Sequence, residues 1–106
     1  MVVRVVLFRM RPGVTEEDYQ ALLSAFKNAI VNVPGLLGYH VGRRIDTGAE
    51  VEAVGPTAAA PYDFALVYEF VSAGALRMYL RRPALQELRK RLATVCESVV
   101  SGDYDA

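Results

Sequence analysis

The chain has one cysteine and one histidine, no net charge, and no long apolar run. Each shortage removes a class of protein. A single cysteine, Cys96, excludes an intrachain disulfide. One cysteine and one histidine cannot build a structural zinc site within a chain, so no metal is expected. Twelve basic side chains balance twelve acidic ones, which removes the electrostatic case for nucleic acid or an anionic membrane as partner. No apolar stretch approaches the ~20 residues of a bilayer span. The opening MVVRVVLFRMRPG lacks the basic, apolar and small-residue zones of a secretory signal. A cytoplasmic protein is expected.

What is present is a core-forming composition. Hydrophobic residues make up 53% of the chain, too many for disorder. At 106 residues the length fits a single domain spanning the whole chain. Arg81-Arg82 and Arg89-Lys90-Arg91 are basic stretches in helical sequence and read as solvated helix faces.

Residues Val2–Met10 are β-branched and aromatic and predict a strand. One face carries Val2, Arg4, Val6, Phe8 and Met10; the other carries Val3, Val5, Leu7 and Arg9. Thr15 followed by Glu16, Glu17 and Asp18 marks a helix start, because a hydroxyl caps free N–H groups and acids complement the positive helix end. Tyr19, Leu22, Leu23, Phe26 and Ile30 recur at helical spacing until Pro34-Gly35 stops the run.

Leu36–Ile45 predicts a second strand, with Tyr39, Val41 and Arg43 on one face and His40, Gly42 and Arg44 on the other. Asp46–Pro61 is a long connection, within which Glu50–Val54 suggests a short edge strand. Tyr62–Val71 is the third strand, with Tyr62, Phe64, Leu66, Tyr68 and Phe70 aligned. Ser72 caps a helix to about Leu80, and Pro83 breaks it. Leu85, Leu88, Leu92, Val95 and Val99 then repeat at helical spacing, with Cys96 on the same stripe. A short last strand is expected at Val99–Tyr104.

The order β-α-β-β-α-β predicts an α+β, ferredoxin-like fold: a four-stranded antiparallel sheet with its helices on one face. The uncovered face is expected to carry Phe8, Tyr39, Phe64, Tyr68 and Phe70. An aromatic face of that size needs a cover, and a second copy of the chain, making a homodimer, is the expected one.

Four segments in order carry a family resemblance. They are VRVVLFRMRPGVTEED, VPGLLGYHVGRRI, YDFALVYEF and ALRMYLRRPALQEL, with Asp103-Tyr104 at the close. The chain resembles the stress-responsive α/β-barrel (Dabb) domain over nearly its whole length. The resemblance implies a dimeric α+β barrel with a pocket between sheet and helices in each subunit. It also implies kinship with plant polyketide cyclases, which close a ring by aldol condensation without metal or cofactor. Two positions depart from the family. Arg4 stands where a histidine is frequent, and Arg82-Pro83-Ala84-Leu85 stands where His-Pro-x-His is frequent. The second histidine of that segment moves the proton in the cyclases, together with a tyrosine that survives here as Tyr79. Leucine cannot move a proton.

Arg4 and Tyr79 are therefore the candidate catalytic pair: a guanidinium to hold an oxyanion and a phenol to donate a proton. Val6, Phe8, Tyr39, Phe64, Leu66, Tyr68, Leu85 and Leu88 are the candidate ligand-binding walls. Tyr39, Tyr68 and Arg43 are polar points for the pocket or the subunit seam. Gly35, Gly38 and Gly42 lack the strand-loop-helix context of a phosphate loop. Three functions stay open. The first is a pocket for a small aromatic or polyketide-like anion, with or without cofactor-free chemistry. The second is a non-catalytic stress-related dimer. The third is a cofactor-independent oxygenase.

Overall fold

A computed structural model describes residues 1–49 and 62–106. The edge strand expected at Glu50–Val54 lies outside the described residues.

Strand β1 spans Val2–Met10. Helix α1 spans Glu16–Ala29 and opens on a capping box. Thr15 Oγ1 accepts from the Asp18 backbone N–H at 3.1 Å, and the Asp18 carboxylate accepts from the Thr15 N–H at 3.0 Å. Two otherwise orphaned donors are satisfied at once. Strand β2 covers Leu36–Arg43 and β3 covers Phe64–Phe70, each slightly shorter than the sequence predicts. Ser72 caps α2 (Ala73–Leu80), and Pro83 begins α3 (Pro83–Val95), where its missing N–H costs nothing.

Strand β4 runs over Cys96–Asp105 and is longer than expected. Val99 and Cys96 belong to it and not to the helix. Their spacing continues the helical stripe, but pairing overrides it: Cys96 aligns with Met10, Val99 with Phe8, and Asp103 with Arg4. The sheet order is β2-β3-β1-β4, with antiparallel neighbours throughout. This is the ferredoxin-like α+β arrangement.

The helices cover the opposite side of the sheet from the one expected. Phe8, Phe64, Tyr68 and Phe70 are buried inside the subunit, packed with Leu22, Phe26, Leu76, Tyr79 and Leu88. They therefore cannot form a bare face. The apolar stripes of three helices bury the most area against the large aromatic side of β3, and that is the side they take. Tyr39 shares that side, but it sits on the edge strand β2 and stays 39% exposed. The side facing away from the helices has an aliphatic centre, with Glu69, Tyr104 and His40 around it. Val5 there lies between Val67 on β3 and Gly102 on β4, with Val3 and Leu7 above and below it.

Candidate functional site

A cavity of about 260 Å³ lies between the sheet and helices α2 and α3. Its walls are Val6 and Phe8 from β1, Leu66 and Tyr68 from β3, and Leu80, Leu85, Leu88 and Leu92 from the helices. Its polar groups are Arg4, Tyr68, Tyr79, Arg89 and Ser101. A larger cleft of about 400 Å³ runs between α1 and α3, but Asp18, Glu87, Lys90 and Arg91 line it at the helix surface. Among the described residues the cavity under the sheet combines apolar walls with buried hydroxyls, the usual composition of a small-molecule site.

The strand alternation aims Arg4, Val6 and Phe8 at the same side, and helical spacing brings Tyr79, Leu85 and Leu88 over them. The Tyr79 hydroxyl donates to the Tyr68 hydroxyl at 2.7 Å, with both residues 2% exposed. Two hydroxyls carry two protons, and this bond uses one. Among the described residues the second proton has no acceptor. Burial raises the pKa of both phenols above the usual value. For Tyr68 the charge and hydrogen bond of Tyr79 raise it further, while Arg4 lowers it. For Tyr79 the hydrogen bond with Tyr68, then Arg4, Arg82 and Arg89, only partly offset burial. Both are neutral at physiological pH and can donate hydrogen bonds.

Arg4 is not a free cation. Its Nη1 donates to both Asp103 carboxylate oxygens, at 3.0 and 3.1 Å, and its Nη2 donates to Ser101 Oγ at 3.3 Å. The Arg4 side chain is 17% exposed and that of Asp103 is 43% exposed.

Of the expected site residues, Arg4, Val6, Phe8, Leu66, Tyr68, Tyr79, Leu85 and Leu88 meet at this cavity. Tyr39 and Phe64 do not. Phe64 packs in an aromatic cluster with Phe8, Tyr19 and Phe26, at ring separations of 5.3, 5.3 and 5.8 Å. Arg43 lies over the Tyr19 ring at 3.3 Å and bonds to Glu16 at 2.6 Å, on the α1 side of the molecule. His40 is exposed on the opposite sheet face, and Cys96 is a buried strand residue. Arg89, Ser101 and Asp103 were not expected. Arg89 follows Leu85 by one helical turn, which is the signal that could have found it. Asp103 is legible only once β1 and β4 are paired. Among the described residues no group of three His, Cys, Asp or Glu side chains could hold a metal ion. No helix among them is long and apolar enough to cross a membrane.

A single antiparallel sheet under three helices, with an apolar cavity tipped by phenols and guanidinium groups, defines a ferredoxin-like domain with a built-in pocket. The family model for the stress responsive A/B barrel domain (Dabb) matches residues 2–106, and the chain belongs to that family. The fold recurs in a dimeric ferredoxin-like protein of unknown function from Thermobifida fusca, at 21% identity and a TM-score of 0.79, covering 99% of this chain and 90% of that one. It recurs in a hydroxynitrile lyase from Passiflora edulis, at 17% identity and 0.80, covering 97% and 90%. A mutant of a cofactor-independent oxygenase from Streptomyces nogalater matches at 13% identity and 0.74, covering 99% and 91%. No curated protein matches the chain.

Proposed function

We propose that the chain is a homodimeric binding domain for a small, ring-containing molecule that carries an acceptor oxygen. The observation that carries this reading is the Tyr79–Tyr68 pair, with one proton left over at the wall of an apolar cavity. A ligand oxygen at that wall can accept the remaining hydroxyl proton, a hydrogen bond worth about 0.5–1.5 kcal/mol net. The volume falls below the roughly 300–1,000 Å³ of drug-sized sites, which suits one or two fused rings. The aliphatic sheet face, Val3, Val5, Leu7 and Val67, supports a second copy as its cover, and a structural relative is described as dimeric.

Ring closure by aldol condensation needs a base, and Leu85 occupies that position at the cavity wall. Among the described residues the lining holds no histidine, carboxylate or thiol to serve as that base. Oxygenation of a substrate that ionises by itself needs no base and suits the cavity better; oxygen uptake with a phenolic substrate tests it.

The binding reading is tested by calorimetry with 2-acetylnaphthalene and naphthalene. The ketone should bind about tenfold more tightly, the strength of one buried hydrogen bond. Tyr68→Phe or Tyr79→Phe alone leaves one donor, displaced within the pair, and should lose less. The double variant should lose the whole preference. Equal binding of both probes to the wild type overturns the reading. In an enzyme, Tyr79→Phe would lower turnover more than affinity.

A further inference from the structure

The cavity holds two guanidinium groups with different electrostatic standing. Arg4 is matched by Asp103 on the neighbouring strand, in register with it. Arg89 lines the same cavity from α3 and makes no hydrogen bond or ion pair among the described residues. The exposed lining residues Arg89, Val99 and Ser101 mark the open side of the cavity, between α3 and the edge strand β4. The remaining walls are buried or half-buried. A ligand entering there passes Arg89 first and meets the phenol pair last.

Two guanidinium groups line the cavity, Arg4 and Arg89, and Asp103 sets one negative charge against Arg4; Arg82 stands outside the lining, bonded to the Val31 and Asn32 carbonyls. We infer that Asp103 is the specificity-determining residue of this cavity: by neutralising Arg4 it leaves Arg89 as the one unmatched cation of the described lining and makes the site selective for monoanionic aromatic acids. The inference rests on the binding reading above and adds the charge class of the ligand and its orientation. The carboxylate lies at the open side against Arg89, where a guanidinium fork matches it, and the ring lies among Val6, Leu66, Leu85 and Leu88. Asp103 acts through Arg4. It is a positioning residue and need not touch the ligand.

The test compares 6-hydroxy-2-naphthoate with 6-hydroxy-2-naphthamide, a neutral near-isostere, each with a far hydroxyl oxygen that can accept from the phenol pair, and reads the ratio of their affinities. A ratio is insensitive to a general loss of folded protein, which thermal melting monitors separately. The wild type should prefer the carboxylate about tenfold, and Arg89→Gln should remove that preference. Asp103→Asn frees Arg4 and should raise the preference about tenfold more. Arg4→Gln leaves Asp103 as a bare carboxylate and should lower it about tenfold. The double variant Arg4→Gln/Asp103→Asn should return to within about twofold of the wild type. Opposite signs that cancel are the signature of a silent charge pair; a purely structural pair loses binding in both single variants. If Asp103→Asn leaves or lowers the preference, or if Arg89→Gln keeps it, the inference is wrong. If neither naphthalene probe binds the wild type, the binding reading itself fails and the inference with it.

Discussion

The Tyr79 hydroxyl, on α2, donates to the Tyr68 hydroxyl, on β3, at 2.7 Å, and the two rings lie 5.1 Å apart. The bond ties the helix to the sheet at the cavity wall. Burial raises both pKa values above the usual 10.0. In the unfolded chain these phenols ionise near 10, while in the folded protein they resist. The folded state then holds more protons than the unfolded one, so stability falls as pH rises beyond 10 and is fully present below it. The melting temperature should drop over that range, and Tyr68→Phe or Tyr79→Phe should make the drop shallower. Absorbance of phenolate should reveal late-ionising tyrosines that titrate only on unfolding.

The aliphatic sheet face predicts a substitution that separates assembly from folding. Val67 lies between Val5 on β1 and His40 on β2, on the side away from the helices. Val67→Glu places a charge in the proposed seam at a cost of several kcal/mol. Light scattering should report a monomer that keeps its circular dichroism. Phe70→Glu, by contrast, buries the charge in the subunit core and should prevent folding, because Phe70 is 0% exposed. A wild type that scatters as a stable monomer removes the dimer from the proposal.

Gly35 holds the start of β2 against α2 and should tolerate no side chain. Its φ is +79°, and a Cβ there would meet the Ala75 Cβ at 2.6 Å and Val71 Cγ2 at 3.0 Å. Both the left-handed backbone and the contact oppose Gly35→Ala. Urea denaturation should find a loss of about 2–4 kcal/mol. Gly13 has a similar φ of +84° but nothing near its Cβ position, so Gly13→Ala should lose less.

Cys96 is buried, with its thiol 3.8 Å from the Met10 sulfur, and burial raises its pKa. Thiolate is the reactive form, so a disulfide reagent at neutral pH should modify native protein slowly. Denaturant should bring the rate to that of a free thiol. Fast reaction in native buffer would mean that β4 opens readily from β1.

Local chemistry alone determined much of this protein. The capping box at Thr15 and Asp18, the β-branched run of β1 and the break at Pro83 each depend on residues a few positions apart, and they are legible without any partner. The same local periodicity brought Arg4, Tyr79, Leu85 and Leu88 to one cavity. It could not say which side of the sheet the helices cover. Strand alternation defines two faces but gives neither a direction, and the choice depends on how three helices pack as a set. Sequence alone therefore places the aromatic side of β3 at a subunit seam, when it is the core of one subunit. The charge of the site was equally out of reach. Arg4 and Asp103 are 99 positions apart, and only the register of β1 against β4 brings a carboxylate within 3.0 Å of the guanidinium. Coulomb attraction depends on distance in space, which folding sets and chain order does not record.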